Sequence, residues 1–279
     1  MDCMPICHIP ETKVKCYLPA LDKTHFLTVL DLSAIKHLAK ENDMKLLGII
    51  STRLVMERSD LLRDGRPRLM KNKYGQVTVF TTNKTALILR HGHHPQKHIL
   101  PHIINHRANI KALKDMGVRE IIGVNSTGSL KKSLRPGTVM IPDDFLTLTA
   151  TPTIFHHCAV HITPRLSEDV RANIIRAAKN IHLNVKKKGT YWQTQGPRLE
   201  TRAEIKMMAR FADIVGMTMA NEAVIAQELG LPFASICSVD NYGNGIADQP
   251  LSMKEILDGT RKNADLIIQI LHSYLELFY

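Results

Sequence analysis

The stretch DIVGMTMANEAVIAQELGLPFASICSVDNYG (residues 213–243) decides the fold class. Two short apolar runs, at 213–218 and 233–239, flank a segment of helix-forming residues at 220–229. This order predicts a strand, a helix and a second strand. Strands that alternate with helices in this way are typical of α/β proteins with a largely parallel sheet.

The second of these strands runs into a polar pair, Asp240 and Asn241, and then into a glycine-rich segment. The ends of buried strands are where α/β enzymes place the groups that bind ligands. Polar residues before glycines also suit a simple turn of the chain. The pair therefore has two interpretations at this point, a ligand-binding group or a turn.

The same alternation continues outward from this unit in both directions. Further strands are predicted at 45–50, 77–82, 85–92, 120–126, 138–144 and 190–196, and further helices at 102–117, 168–182, 200–211 and 252–275. The pattern predicts a mixed, mostly parallel sheet covered by helices in one domain, residues 44–279. Residues 1–43 precede the first clear strand and are predicted to be an N-terminal extension, either an added strand–helix unit or a poorly ordered segment.

The composition narrows the class of protein. The chain has 279 residues and a net charge of +11, but its lysines and arginines are dispersed, with one dense run at 185–189. With only 5% aromatic residues there are few surfaces on which bases could stack, so nucleic acid is not the expected partner. A basic surface also attracts small anions such as phosphate. We find no apolar run of membrane-spanning length and no secretory signal, and five scattered cysteines favour a reducing cytoplasm.

Polar clusters close several of the predicted strands. They are Arg90-His91-Gly92, Asn125-Ser126, Gly128-Ser129, Met217-Thr218 and Asp240-Asn241. Strand ends that meet at one edge of a sheet form a crevice, so these clusters are expected to converge. The guanidinium fork of Arg90 suits an oxyanion, and hydroxyl and amide donors would complete an anion-binding site.

Two other groups of residues are considered as metal ligands. Cys3, Cys7 and Cys16 lie near His8, but their spacing matches no standard zinc site. His93, His94 and His98 lack a nearby carboxylate, and we interpret them as a solvated or subunit-facing loop. No metal site is predicted.

The segment QGPRLETRAE (195–204) carries two acids, Glu200 and Glu204, one helical turn apart. Both suit the first turn of a helix, where acidic side chains interact favourably with the helix dipole. Alternatively, one of them faces a ligand.

Five segments together resemble the trimeric purine nucleoside phosphorylase and methylthioadenosine phosphorylase family. The matching segments are RHG (90–92), NHRANIKALKDMGV (105–118), NSTGSLKKSLRPGTVMIPDDFL (125–146), TQGPRLETRAEI (194–205) and residues 213–243. The resemblance covers about 45–275 in the right order. It implies a nucleoside phosphorylase-like fold, a single α/β domain with a mixed, distorted central β-sheet flanked by helices. It also implies a homotrimer.

The resemblance implies a pentosyltransferase of purine salvage. Such enzymes cleave the N-glycosidic bond of purine nucleosides with inorganic phosphate as co-substrate and need no cofactor. The implied phosphate-binding residues are Ser51, Thr52, Arg90, His91, Asn125, Ser126 and Thr218. The implied nucleoside-binding residues are Glu200, Met217, Asn241 and His161, the last directed towards the neighbouring subunit. The implied catalytic residues are Asn241, Asp240 and His91.

One segment departs from the family. Where relatives carry a Gly-Gly-Thr-Gly turn that binds phosphate, this chain has Ser51-Thr52-Arg53. A turn that uses the positive φ of glycine is therefore lost or rebuilt. Three alternatives to a purine nucleoside phosphorylase stay open: a methylthioadenosine or methylthioinosine phosphorylase, a nucleosidase that uses water, and an inactive binding relative.

Base preference depends on hydrogen-bond polarity. An ionised Glu200 can accept a bond from N1–H of a 6-oxopurine, and the amide of Asn241 can donate to N7 or O6. These two residues predict a preference for 6-oxopurines. A shift of one residue at the strand end would present Asp240 instead and would favour adenine nucleosides.

Overall fold

The computed structural model describes residues 46–94, 96–156, 160–247 and 251–279. The predicted extension 1–43, with Cys3, Cys7, Cys16 and His8, lies outside the described residues.

The described chain alternates strands and helices. The strands are β1 (Leu46–Ser51), β2 (Arg66–Asn72), β3 (Gly75–Thr81), β4 (Thr85–Leu89), β5 (Val118–Ser129), β6 (Val139–Met140), β7 (Asp144–Thr147), β8 (Thr190–Gln193), β9 (Ile214–Gly216) and β10 (Phe233–Tyr242). The helices are α1 (Arg53–Met56), α2 (Asp60–Arg63), α3 (His106–Asp115), α4 (Glu168–Asn180), α5 (Arg202–Met208), α6 (Met219–Glu228) and α7 (Met253–Phe278), with a 3₁₀ turn at Pro101–Ile103.

These strands form one ten-stranded sheet within the described part of the chain. Its main path runs β2-β3-β4-β1-β5-β9-β8-β7, while β10 pairs with β5 and β6. Pairs such as β1 with β5 and β5 with β10 are parallel, whereas β5 with β9 and β2 with β3 are antiparallel. The predicted mixed and distorted sheet flanked by helices is confirmed, and the distortion comes from β5, which pairs with three other strands.

Helices cover both faces of the sheet because successive strand side chains point to opposite faces. In β1, Leu47 and Ile49 pack into one core with α4 and α7, while Ile50 packs into a second core with α3 and α6. Side chains of both cores are fully buried. Such two-sided burial explains why the central strands read as continuous apolar runs.

The elements that the sequence pattern missed are short or exposed. Strand β2 is mostly exposed and begins Arg-Pro-Arg, so no alternation of apolar residues marks it. The predicted strand 138–144 is two strands, β6 and β7, separated by a segment that includes Pro142, whose ring lacks the N–H a ladder requires. Helices α1 and α2 have four residues each, too few to show a helical period.

Strand β10 does not end at the polar pair but continues through Tyr242. Its pairing with β5 shifts register between Val239 and Asn241, which leaves Asp240 as the extra residue of a bulge. Helix α7 approaches the backbone here so closely that a Cβ on Gly259 would lie 2.1 Å from the Asp240 carbonyl oxygen. The bulge therefore interrupts the regular alternation of faces at this polar pair.

Across the residues that the structure describes, we find no helix with both the length and the apolar character needed to cross a membrane.

Candidate active site

A cavity of about 370 Å³ opens where β1, β4 and β5 end. Eight of the predicted site residues line it: Thr52, Arg90, His91, Ser126, Glu200, Met217, Thr218 and Asn241. Four others do not line it: Ser51, Asn125, Asp240 and His161. We call the part lined by Thr52, Arg90, His91, Ser126 and Thr218 the arginine end, and the part lined by Glu200, Met217 and Asn241 the glutamate end.

At the arginine end, the guanidinium of Arg90 is buried in an ion pair with Glu222. Its Nε and Nη2 donate to the two carboxylate oxygens at 2.6 and 3.1 Å, and each side chain is 1% exposed. Nη1 donates to the Val124 carbonyl at 2.6 Å and Nη2 to the Ile50 carbonyl at 2.9 Å. Burial raises the pKa of Glu222, and the charge and bonds of Arg90 oppose that rise.

These four bonds leave Arg90 one of its five N–H groups for a ligand. The prediction of a free fork for an oxyanion therefore needs revision, since the fork faces Glu222. Arg90 offers the cavity a fixed, partly compensated positive charge, and neighbouring hydroxyls must supply further donors.

The ring of His91 is held in one tautomer. Its Nδ1 lies 2.7 Å from the Ile99 carbonyl oxygen, which can only accept, so Nδ1 carries the hydrogen. Burial, with smaller effects of Arg90 and His98, lowers the pKa of His91 to about 4, against the opposing effect of the bond to Ile99. At neutral pH the Nε2 atom therefore presents a lone pair, which can accept a bond from a hydroxyl of a ligand.

His98 was not predicted as a site residue. Its ring stacks on His91 with the centroids 4.6 Å apart and the planes 12° from parallel, and it lines the cavity. His98 is exposed, which agrees with our interpretation of a solvated or subunit-facing loop, and its ring also borders the cavity. No group of three metal-ligating side chains is placed to hold an ion in the described ranges.

The segment that replaces the glycine turn is rebuilt as a strand-to-helix junction. Thr52 caps α1 by accepting from the Val55 amide at 3.4 Å, and it lines the cavity. Arg53 turns away and donates to the His93 carbonyl at 3.0 Å. Ser51 is fully buried, and its hydroxyl has no hydrogen-bond partner. Of this segment, Thr52 is thus the residue that faces the cavity.

At the glutamate end, the structure separates the two acids. Glu204 closes a capping box with Thr201 and accepts two bonds from Arg198, at 2.7 and 2.8 Å, so it is a structural residue. Glu200 is 8% exposed and lines the cavity. Thr194 donates to its Oε1 at 2.6 Å, and no described residue donates to Oε2. The ligand-facing interpretation therefore applies to Glu200.

Met217 and Asn241 complete this end. A Cβ on Gly196 would lie 2.5 Å from the Met217 sulfur, and Gly196 has a φ of +65°, so glycine is required beside this methionine. Nδ2 of Asn241 donates one hydrogen to the Tyr242 carbonyl at 2.8 Å and keeps its second hydrogen. Asn241 can therefore still donate to a ligand in the cavity.

Asp240 points away from the cavity, to α7. Its carboxylate accepts from Thr260 and from Asn263, both at 2.7 Å, and burial raises its pKa. Of the opening pair, Asn241 thus faces the cavity, and Asp240 fastens the bulge to a helix. His161 is exposed on a loop away from the cavity.

A third part of the lining is apolar. It consists of Leu100, Pro101, Leu199, Leu251, Met253 and Ile256. Met253 is 59% and Leu100 41% exposed, so apolar atoms rim this part of the cavity. We call these six residues the apolar rim.

Several residues that hold the cavity side chains in place were missed by sequence reasoning. Glu222 had a signal, because it is a lone acid in the middle of the apolar helix sequence MANEAVIA. Thr194 and Ser235 had none, since single hydroxyls in strands or next to them are common and carry no pattern.

The sheet and the cavity at its strand ends define an α/β enzyme that binds a small ligand at the sheet edge. Residues 57–276 match the model of the phosphorylase superfamily, so the chain belongs to that superfamily. The resemblance inferred from the five segments is confirmed.

Individual relatives are similar over most of their length. The chain is 38% identical over 236 residues to a probable 6-oxopurine nucleoside phosphorylase of Archaeoglobus fulgidus, covering 83% of this chain and 96% of the relative. It is 33% identical to a probable S-methyl-5′-thioinosine phosphorylase of Methanocaldococcus jannaschii, covering 83% and 92%. Among solved structures, methylthioadenosine phosphorylase from Schistosoma mansoni in complex with adenine superposes with a TM-score of 0.74 at 25% identity, covering 84% of this chain and 91% of that one.

Proposed function

We propose that the protein is a purine nucleoside phosphorylase, a pentosyltransferase that prefers 6-oxopurine nucleosides. The observation that carries the proposal is the pairing of two ends in one cavity. The arginine end offers positive charge and hydroxyls to an anion, and Glu200 at the glutamate end offers a free carboxylate oxygen to an N–H donor. The relative from Archaeoglobus fulgidus, named a probable 6-oxopurine nucleoside phosphorylase, supports the same assignment.

The reaction needs both ends at once. A phosphate oxygen forms a bond to C1′ of the sugar while the bond from C1′ to N9 breaks, and the electron pair of that bond goes to the purine. The purine leaves as the free base after it takes a proton from solvent, and the sugar leaves as its 1-phosphate. Phosphate held beside the cationic sugar carbon supplies proximity and countercharge.

Base selection follows from donors and acceptors. Oε2 of Glu200 accepts from N1–H of hypoxanthine or guanine, whereas the lone pair on N1 of adenine would face it unfavourably. The remaining hydrogen on Nδ2 of Asn241 is available for N7 or O6. Because a mismatched base leaves buried polar groups unpaired, such a site can discriminate strongly.

A second candidate substrate is a nucleoside with an apolar 5′ substituent. The apolar rim favours it, since Leu251, Met253 and Ile256 offer a methylthio group contacts that a bare hydroxyl cannot use. The Methanocaldococcus jannaschii relative is named for such a substrate. A 6-oxopurine carrying a methylthio group would satisfy both the glutamate end and the apolar rim.

The test is base release from inosine, guanosine, adenosine, methylthioadenosine and methylthioinosine, each with and without phosphate. We expect phosphate-dependent release with the 6-oxopurines ahead. Base release that does not depend on phosphate would indicate a nucleosidase, and no release would indicate an inactive binding relative. Either result overturns the proposal. Faster cleavage of methylthioadenosine than of inosine would contradict the roles of Glu200 and Asn241.

We further propose a cytoplasmic homotrimer that acts in purine salvage, in which His161 reaches the neighbour's sugar site. The family resemblance supports the trimer, and exposed apolar side chains such as Leu148 (75%) and Phe211 (62%) offer surface for contact between subunits. Sedimentation of a fully active monomer would refute both the assembly and the shared site.

A further inference from the structure

Thr218 occupies the N-cap position of α6 but does not cap the helix. A threonine at this position usually accepts a bond from the second or third helical amide, and here its side chain makes no such bond. Strand β8 supplies the cap instead. Oε1 of Gln193 accepts from the Ala220 amide at 2.6 Å and from the Asn221 amide at 3.4 Å, and the Tyr191 hydroxyl accepts from the Thr218 amide at 3.2 Å. The hydroxyl of Thr218 is therefore released from the usual duty of an N-cap.

The released hydroxyl is oriented from the opposite side by the core of the sheet. The Oγ of fully buried Ser235 lies 2.7 Å from Oδ1 of Asn125 and 3.1 Å from the Gly123 carbonyl oxygen, and its single hydrogen can bond to one of them. The shorter contact assigns that hydrogen to Asn125, which sets the direction of the amide. Nδ2 of Asn125 must then face Thr218, and it donates to the Thr218 Oγ1 at 2.8 Å. A hydroxyl that accepts this bond through a lone pair keeps its single hydrogen for another partner.

The remaining hydrogen can point into the cavity, which Thr218 lines. Thr218 lines the cavity beside Arg90, whereas Asn125 and Ser235 do not line it. The chain of bonds thus runs from the core through an amide to a hydroxyl at the cavity wall. This chain of bonds supplies one hydrogen-bond donor at the arginine end, where Arg90 already makes four bonds to protein acceptors.

We propose that Ser235 and Asn125 are positioning residues that turn the Thr218 hydroxyl into an obligate donor for a phosphate oxygen. The proposal rests on the proposed function, and it deepens it by giving Asn125 a role behind Thr218 in place of direct contact with phosphate. Ser235 does not line the cavity, so it acts through the other two residues.

The test is a double-mutant cycle read out by binding of inorganic phosphate, using isothermal titration of wild type, Thr218→Val, Ser235→Ala and the double variant. Removing the hydroxyl in Thr218→Val should weaken phosphate binding about tenfold, since a hydrogen bond to a charged ligand is lost. Ser235→Ala should weaken it about threefold by freeing the amide to rotate. In the Thr218→Val background, Ser235→Ala should have no further effect.

Two controls separate this relay from a general structural role. Thr218→Ser keeps the hydroxyl and should bind phosphate as wild type does. Binding of the purine base should be equal in all of these proteins. Loosened packing would instead weaken the binding of both phosphate and the base. The proposed chain from Ser235 through Asn125 to Thr218 is overturned if Ser235→Ala weakens phosphate binding equally in wild type and in Thr218→Val. It is also overturned if Ser235→Ala has no effect in either protein, or if the wild type binds no phosphate.

The result of the binding cycle does not depend on catalytic turnover. A wild type that binds phosphate yet releases no base would overturn the proposed function, and the binding cycle would still decide the relay.

Discussion

The two ends of the cavity are built by different means. At the arginine end, Arg90 makes four bonds to groups from three parts of the chain, and its partner Glu222 is 132 residues away in sequence. At the glutamate end, Glu200 is held by Thr194 six residues away, and Asn241 by the carbonyl of the next residue. The arginine end is thus part of the core, while the glutamate end depends on local contacts. Loss of the buried ion pair at the first should destabilise the whole protein, and a change at the second should alter base choice.

The largest effect should follow from Arg90→Ala, which leaves Glu222 as a buried charge without a partner. We expect the free energy of unfolding to fall by about 3–5 kcal/mol, together with loss of phosphate binding. Denaturant unfolding and phosphate titration measure the two effects. Arg198→Ala, which breaks an exposed pair with Glu204, is the matched control and should change stability little. Equal stability of both variants would show that the arginine end is not part of the core.

Glu200→Gln should act on the opposite end. The amide keeps the shape but replaces the charge, so kcat/KM for inosine and guanosine should fall about 100-fold while the free energy of unfolding stays near that of wild type. Steady-state kinetics with each nucleoside, at saturating phosphate, measures the fall. Retention of inosine cleavage would remove Glu200 from base recognition.

Acid should destabilise the protein through His106, which begins α3. Its ring is buried with both nitrogens unpartnered, and burial, with smaller effects of Arg90 and His91, lowers its pKa to about 3. The unfolded chain binds this proton below its ordinary pKa of 6.5, so stability is complete above about pH 6.5 and falls towards pH 3. By pH 5 the loss should be about 2 kcal/mol.

Unfolding measured across this pH range tests the linkage. His106→Leu should remove this part of the slope and leave the part due to His91, whose pKa is also lowered, to about 4. A slope that is the same in His106→Leu and wild type would contradict the assignment.

Asn241→Asp should shift base preference by about tenfold towards 6-aminopurines, because a carboxylate accepts from the 6-amino group and cannot donate to O6. The ratio of kcat/KM for adenosine to that for inosine measures the shift. Asp240→Asn, one residue earlier, should leave this ratio unchanged, since that side chain bonds to α7. The opposite ranking of the two variants would mean that Asp240 reads the base.

The smallest effect is expected from Thr194→Val, which removes the donor that holds Glu200. KM for inosine should rise a few-fold, by about 0.5–1 kcal/mol of binding, with kcat and the KM for phosphate unchanged. Thr194→Ser should restore the wild-type value because it keeps the hydroxyl. A rise in the KM for phosphate instead would contradict separate roles for the glutamate end and the arginine end.

The elements that could be predicted from the sequence are those marked by a local pattern of residues. The strand–helix–strand unit at 213–243 is predicted well because apolar runs and helix formers alternate within a few residues, and the strand ends around the cavity follow from it. Strand β2 is missed because its stability comes from pairing with β3, and its exposed side chains show no period.

Roles within the site depend on partners that the pattern cannot show. Glu200 and Glu204 are equivalent in sequence, and the position of Arg198 separates them. The fork of Arg90 is predicted to face a ligand because Glu222 is distant along the chain. Asn125 is grouped with the phosphate ligands because adjacent residues in a strand look alike until their facing sides are known.

The bulge in β10 has an evolutionary consequence. In a regular strand, neighbouring side chains face opposite sides of the sheet, and the extra residue of a bulge interrupts that alternation. Here Asp240 is constrained by its bonds to α7, whereas Asn241 is constrained by the cavity that it lines. The loss of a single residue at this point would bring a carboxylate into the place of the amide. An insertion or deletion in β10 is therefore a one-step route by which a descendant of this protein could exchange one class of purine for the other.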